Sequence, residues 1–164
     1  MKKITFILFA LIAGTTFAQN TAEGTATVNA YIVSPIGVST SDNIDFGKIV
    51  RTVDGGTVEI PTDGGARIIP AAMDISSTSS AATFTVTAEE NTSYSISIPQ
   101  LELKNSDDET QIMIVDFTHN LGEGENQSTG NTVEEFVVGG KLTVNGDQAV
   151  GTYSGTATVT VSYE

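Results

Sequence analysis

The sequence predicts an all-β protein, an antiparallel β-sandwich, on the strength of three observations. Apolar and polar residues alternate with a period of two along most of the chain, which is typical of strands with one buried face. Clusters of Gly, Asp and Asn separate these segments, and such residues accept the positive φ angles of tight turns. No window has a sustained helical period. Short strands with Ser and Thr on the exposed face favour an antiparallel sandwich over a parallel sheet.

The N-terminus has the pattern of a cleaved export signal. The basic start Met1-Lys2-Lys3 precedes an apolar run from Ile4 to Ala13, and Thr16-Phe17-Ala18 places small residues where a signal peptidase cleaves. The alternative, a membrane anchor, is disfavoured because a spanning helix needs roughly 20 apolar residues. We predict that residues 1–18 are removed and that residues 19–164 form a single sandwich domain, exported to the periplasm, the cell surface or the extracellular medium.

Composition and charge exclude several classes of function. The chain has no Cys, one His and a formal net charge of −13, so it lacks thiol chemistry, disulfides and clustered cations for binding nucleic acid. The acidic runs at Asp107-Asp108-Glu109 and at Glu123 with Glu125 lack the spaced ligands of a calcium loop. We expect no cofactor, no metal site, no nucleic-acid partner and no transmembrane segment after signal cleavage.

Alternation begins just after the predicted cleavage site. The run from Thr25 to Val33 places Val28, Ala30 and Ile32 on one face, and Pro35 ends it. This pattern predicts either the first strand of a sandwich completed within its own chain or a strand that pairs with another molecule. Both interpretations stay open. The next candidate strands are Ile44 to Val50, Thr57 to Ile60 and Arg67 to Ile69.

The rest of the chain predicts a β-hairpin followed by two longer strands. Thr83 to Thr87 and Ser93 to Ile98 alternate on either side of Glu89-Glu90-Asn91-Thr92. Ile112 to Phe117 begins with four apolar residues, which indicates a strand covered on both faces or one that meets a partner. Phe136 to Val144 alternates again. Surface loops are predicted at Ser76 to Ala82 and at Asn120 to Asn131.

Motifs for catalysis are isolated. Asp45-Phe46-Gly47 spells the metal-binding tripeptide of protein kinases without any accompanying kinase motif, and we interpret it as a strand with one core aromatic. Gly139-Gly140-Lys141 lacks the remaining positions of a phosphate-binding loop and is interpreted as strand. His119 has no serine elbow to serve, and we expect a solvated histidine at the end of a strand. The protein is therefore not expected to be an enzyme.

The C-terminus carries the most specific pattern. A half-buried strand is predicted from Tyr153, with Ser and Thr on its exposed face. Gly151 lies fourteenth from the end, and the penultimate residue is aromatic. This ending resembles that of the pilus subunits assembled by a chaperone and an usher. The apolar face of the predicted strand consists of Ala157, Val159, Val161 and Tyr163.

A wider resemblance covers most of the predicted mature chain. The frame Asp45-Phe46-Gly47-Lys48-Ile49-Val50, the strand Val138 to Val144 and the ending Gly151 to Tyr163 are similar to a family of uncharacterised exported proteins of Gram-negative bacteria. That family is grouped with pilin-like adhesins. The resemblance implies an immunoglobulin-like sandwich of the pilin or adhesin type.

In pilins of this type the sandwich lacks one strand, and an N-terminal extension of the next subunit fills the groove. The resemblance therefore implies a structural or adhesin-like subunit, with Val28, Ala30 and Ile32 as candidate donor residues. Its partners would be other copies of itself or related subunits, and a periplasmic chaperone. The candidate partner-binding residues at the C-terminus are Gly151, Ala157, Val159, Val161 and Tyr163.

Two features depart from this pattern. The disulfide of many such subunits is impossible here, and little chain precedes the first candidate strand. The alternative function is a self-complete secreted sandwich that recognises a carbohydrate, a protein or a surface through its loops.

Overall fold

The computed structural model describes residues 21–121, 127–128 and 133–164. The predicted signal peptide, residues 1–18, lies outside the described residues. One compact unit comprises Val33–Glu164, and the described residues 21–32 belong to a separate N-terminal unit. Within the described ranges all regular structure is β, so the predicted all-β, antiparallel, sandwich-like fold is confirmed.

The strands form two antiparallel sheets. The larger sheet has the order β1-β3-β8-β6-β5-β9, with β2 also paired to β8, and the smaller has the order β10-β4-β7. The strands are β1 (Gly37–Thr40), β2 (Gly56–Ile60), β3 (Ala82–Thr87), β4 (Ser93–Ser97), β5 (Leu101–Asn105), β6 (Ile112–His119), β7 (Gln127–Ser128), β8 (Val133–Val144), β9 (Tyr153–Ser154) and β10 (Thr160–Tyr163).

The long strand β8 organises the larger sheet. One of its edges pairs with β3 along its first half, with Phe84 opposite Phe136, and with β2 along its second half, with Glu59 opposite Lys141. The other edge pairs with β6. The apolar residues of β8 recur at every second position, so they lie on one face of the sheet. The partner strands of β8 bring apolar residues of distant segments onto the same face.

The core consists of two clusters that share β8. The first cluster contains Leu142 and Val144 of β8 with residues of β2 and β6, together with Phe46 and Met73. The second contains Phe136 and Val138 with residues of β3 and β4. The smaller sheet covers the second cluster, where Tyr94 of β4 is fully buried and Val161 of β10 packs against the core. The second cluster therefore lies between two layers of paired strands.

Several predicted strands are confirmed. β2 and β8 match the predicted runs closely, and β8 includes Gly139-Gly140-Lys141 as expected. The predicted central strand is β6, which lies between β8 and β5 and alternates partly and fully buried residues along Ile112–Val115. β6 is therefore central in the strand order, but only the face with Met113 and Val115 is fully buried, since Ile112 and Ile114 are partly exposed.

Other predictions are corrected by the pairing. The expected hairpin is wrong, because β3 pairs with β1 and β8 while β4 pairs with β10 and β7, so the intervening turn joins two sheets. Thr25 to Val33 forms no strand, and its side chains are exposed. Ile44 to Val50 and Arg67 to Ile69 make only isolated bridges. The period of two indicates which face is buried but does not identify a pairing partner.

The predicted last strand is interrupted. Its first part, β9, pairs with β5 of the larger sheet, and its second part, β10, pairs with β4 of the smaller sheet. The five residues between them belong to no strand, since the chain crosses there from one sheet to the other. Three short strands were not predicted: β1, β5, and β7, which lies inside the predicted loop Asn120 to Asn131.

A polar pair connects β4 to β8. The Tyr94 hydroxyl donates a hydrogen bond of 2.6 Å to Oε2 of Glu134. Burial of the ring, followed by this hydrogen bond and the negative charge of the carboxylate, raises the pKa of Tyr94 far above its ordinary value. The folded state thus favours the protonated phenol.

We expect this pair to make stability fall at high pH. The stabilisation is complete below the unfolded pKa of about 10 and is lost as the pH rises above it, because the unfolded chain then releases the proton and the folded chain does not. Tyr94→Phe should remove this part of the pH dependence. Urea unfolding of both proteins between pH 8 and 11 measures the difference, and parallel curves would contradict the assignment.

Candidate functional site

A groove of about 800 Å³ lies over the first core cluster. Its floor is the face of the larger sheet that carries this cluster, and its two walls are residues 42–51 and 148–157. We call these the first wall and the second wall. The apolar residues of the floor come from β5, β6 and β8 and are Leu101, Leu103, Met113, Val115, Phe117, Leu142 and Val144.

The walls do not pair with each other. Among the described residues, no backbone-to-backbone hydrogen bond joins the first wall to the second. One side-chain bond crosses between them, from Nη1 of Arg51 to the carbonyl of Gln148 at 3.1 Å. The groove therefore has the paired sheet as its floor, and its two walls are not joined to each other by strand pairing.

The first wall is held by backbone bonds to residues 73–80 and by one buried cation. Asp45 and Ser80 exchange two backbone hydrogen bonds of 2.9 Å. The side chain of Arg67 is 6% exposed, and its Nη1 donates to the carbonyls of Phe46 and Lys48 at 2.6 and 3.0 Å. Its Nη2 donates to Oδ1 of Asp74 at 2.7 Å. A single guanidinium thus ties the wall to the neighbouring loop.

Gly47 shows how closely these parts approach. Its φ angle is 72°, and a Cβ there would collide with the carbonyl of Thr78 and lie 2.8 Å from Nη1 of Arg67. The predicted tripeptide Asp45-Phe46-Gly47 is therefore structural. Phe46 is buried in the first core cluster as expected, although the segment is not a regular strand.

The second wall is positioned by buried polar side chains. Asn105, 2% exposed, lies against Gly151, where φ is 147° and a Cβ would be 2.5 Å from the Asn105 amide nitrogen. Nε2 of Gln148 donates to the Tyr153 hydroxyl at 2.8 Å, and this hydroxyl donates to the carbonyl of Ala149 at 2.8 Å. Close approach to Asn105 explains the glycine fourteenth from the C-terminus.

The structure separates the predicted C-terminal site residues into two groups. Gly151 and Ala157 line the groove. Val159, Val161 and Tyr163 pack instead against the second core cluster. The division follows from the crossing of the chain between the two sheets at residues 155–159.

The predicted donor residues lie in the separate N-terminal unit. Val28 and Ile32 are 90% and 93% exposed, and Ala30 is also exposed. No residue of 21–32 belongs to a strand. Of the two interpretations left open by the sequence, a first strand paired within its own sandwich is therefore not found in the described structure.

His119 differs from its prediction. It is the last residue of β6, as expected, but it is only partly exposed, and its ring makes an edge contact with Phe136 at 6.1 Å between centroids. Among the described side chains, His, Asp and Glu do not gather in groups of three or more that suit a metal ion. Glu123 and Glu125 lie outside the described residues.

Within the predicted acidic loop, Asp108 has local partners. Its Oδ1 accepts hydrogen bonds from the backbone nitrogen of Thr110 at 3.0 Å and from the Thr110 hydroxyl at 2.6 Å. These bonds lower the pKa of the Asp108 carboxyl, the hydroxyl bond contributing most. The carboxylate of Asp108 therefore stabilises a turn.

The comparisons with known proteins identify one sequence family. Residues 36–163, more than three quarters of the chain, match the family described as a domain of unknown function, DUF4402. No curated protein and no solved structure matches the chain. In the part of the chain that the structure describes, no helix has the length and apolar character needed to cross a membrane.

We expect Arg67 to maintain the first wall. Arg67→Ala leaves the carbonyls of Phe46 and Lys48 without their buried donor, and we expect a loss of about 3 kcal/mol in the free energy of unfolding. Amide exchange at Asp45 should accelerate. Arg67→Lys should recover only part of the loss, since an ammonium has three donors and the guanidinium of Arg67 donates to five acceptors.

The matched control is Lys104→Ala. Lys104 makes an exposed ion pair of 3.9 Å with Glu109, so its removal should cost less than about 0.5 kcal/mol. Equal losses for Arg67→Ala and Lys104→Ala in urea unfolding would contradict the role of Arg67.

Proposed function

The chain belongs to the DUF4402 family, and we propose that it is a non-enzymatic, exported structural or adhesin-like subunit that assembles by strand exchange. In this proposal the groove of one copy receives residues 24–32 of another copy. We call these residues the donor segment. The observation that carries the proposal is the groove over the first core cluster, between two walls that do not pair with each other in the described residues.

The chemistry of the groove suits an extended strand. Its floor is apolar, so a strand with alternating small and branched apolar residues would bury them there. β9, which belongs to the second wall, is an edge strand of the larger sheet. Edge strands offer unpaired backbone groups to an added strand.

The donor segment is close in length to the second wall and has the alternation that insertion requires. It has nine residues, the second wall has ten, and nine extended residues span about 30 Å. Val28, Ala30 and Ile32 recur at alternate positions, as insertion of one face requires. Their exposure leaves them available to another molecule.

Strand exchange of this kind produces an open chain of subunits. The donor segment and the groove are different surfaces of the same molecule, so each copy would bind one neighbour through each of them, and such a heterologous contact gives a filament unless the rotation closes a ring. The resemblance to chaperone and usher pilins supports the same assembly. In this proposal the subunit lies outside the cytoplasm, with a periplasmic chaperone as a further expected partner.

We expect the exported protein to form a ladder on an unheated detergent gel that collapses on boiling. Val28→Asp should abolish the ladder, because an unpaired charge buried in an apolar groove costs several kcal/mol, on the order of a thousandfold in affinity. The monomer should keep its melting temperature, since Val28 is 90% exposed and outside any strand.

The control is Asn29→Asp, which introduces the same charge on the opposite face of the donor segment and should leave the ladder intact. Loss of the ladder in both variants, or in neither, would refute the proposed insertion. A single monomer band from the unheated wild-type protein would instead favour the self-complete binding domain.

A further inference from the structure

A three-residue contact surrounds the point where the compact unit begins. The Tyr163 hydroxyl donates a hydrogen bond of 2.9 Å to the carbonyl of Ser34. The same hydroxyl accepts a bond of 2.6 Å from the backbone nitrogen of Glu89. Oε2 of Glu89 accepts a bond of 3.0 Å from the backbone nitrogen of Ser34. Both backbone groups of Ser34 are thus held by side chains. We call Ser34, Glu89 and Tyr163 the clamp.

The clamp joins segments that are far apart in the sequence. Ser34 lies 55 residues from Glu89 and 129 residues from Tyr163. The position of Tyr163 is fixed by strand pairing, because it belongs to β10 and lies opposite Tyr94 of β4. Glu89 follows directly after Ala88, a buried residue of the second core cluster. The backbone of Ser34 is therefore attached to the half of the sandwich that contains the second core cluster and the smaller sheet.

Ser34 of the clamp follows closely after the donor segment in the sequence. Ile32, the last apolar residue of the donor segment, is two residues before Ser34, and two extended residues span at most about 7 Å. A groove that holds Ile32 would consequently lie close to the clamp of the subunit that donates it. The chain between the groove of one subunit and the clamp of the other is therefore short. The conformation at Ser34 would then determine whether the donor segment can insert without strain.

We infer that Tyr163 and Glu89 are positioning residues for strand donation: by holding both backbone groups of Ser34 they fix the base of the donor segment before it meets the groove of the next copy. This inference rests on the proposed function. Pre-ordering the base lowers the conformational entropy lost on insertion. Releasing one residue of backbone should weaken donation by roughly tenfold. The penultimate tyrosine thus acts in the donating subunit, while Gly151 and Ala157 serve the receiving one.

Two disabled chains separate donation from acceptance. The acceptor chain carries Val28→Asp and Ile32→Asp, which disable its donor segment. The donor chain carries Ala157→Trp, which fills its own groove with a large side chain. Mixing the two full-length chains allows only one pairing, and its affinity is measured by fluorescence titration. Tyr163→Phe is then placed in one chain at a time.

We expect Tyr163→Phe to weaken the pair about tenfold when it is in the donor chain and less than twofold when it is in the acceptor chain. Glu89→Ala should show the same asymmetry, and Glu89→Gln should restore most of the affinity, since an amide oxygen still accepts the Ser34 bond. Ser162→Ala, which removes an exposed 3.0 Å contact with Ser95 beside the clamp, is the control and should change neither role.

The possible failures are distinguishable. Equal weakening from either chain would show that Tyr163 contributes only general stability, and no weakening from the donor chain would show that the clamp has no part in donation; each result overturns the inference. Failure of the disabled chains to pair, with Tyr163 intact, would refute the proposed strand exchange and with it the role of the clamp.

Discussion

The protein depends on one imbalance in its core: the first core cluster has a paired sheet below it and, in the described residues, no paired sheet above it. The residues below come from β2, β6 and β8, where Val58, Val115 and Leu142 are almost completely buried. The groove lies between the two walls, each bonded to its own neighbours. Burial of apolar surface is the main favourable term in folding, so an added strand would be stabilised by packing its apolar residues on the partly exposed Leu101, Leu103 and Phe117 of the floor.

The second core cluster shows what completion looks like. There the smaller sheet closes over β3 and β8, Tyr94 is fully buried, and its hydroxyl finds a carboxylate partner. β8 runs through both clusters. The same strand therefore supports the half of the sandwich that has a second sheet and the half that has the groove. The half with the second sheet also holds the clamp at Ser34. In one subunit, the clamp would fix the base of the exposed donor segment, and the groove at the other cluster would accept a strand. This arrangement suits a subunit that both gives and receives a strand.

The walls must keep the groove open without being paired across it. Arg67 draws the first wall towards residues 73–80, and Asn105 and Gln148 hold the second wall against β5 and β6. Buried polar side chains with satisfied hydrogen bonds define such positions more sharply than apolar contacts do, since leaving any of these groups without a partner is costly. Among the described residues, the single hydrogen bond between the walls runs from Arg51 to Gln148. The groove is therefore a built feature of the chain.

Much of the fold could be predicted from the sequence, because alternation reports directly which residues face a core. Phe136, Val138, Leu142 and Val144 identified β8, and the apolar run from Ile112 identified a central strand. Alternation does not report the partner of a strand, so the mistaken hairpin and the interrupted last strand could not be avoided in this way.

The site was only partly accessible to the same reasoning. Gly151 and Ala157 were found through a resemblance, and Val28, Ala30 and Ile32 through alternation near the predicted cleavage site. Arg67 and the clamp were missed, since each depends on bonds between segments that no local pattern connects. Leu101 to Lys104 carried the alternation of β5, a signal that the sequence analysis overlooked.

The most direct test of the account is a disulfide between two copies. The chain has no cysteine, so only introduced pairs can form one. One copy carries Ala157→Cys, and the other carries a cysteine at position 28, 30 or 32, or at the control positions 27 and 29. A disulfide requires Cα atoms within about 7 Å. Strand exchange predicts covalent dimers for at least one of the three alternating positions and none for the controls. Equal cross-linking on both faces, or none at any position, would contradict it.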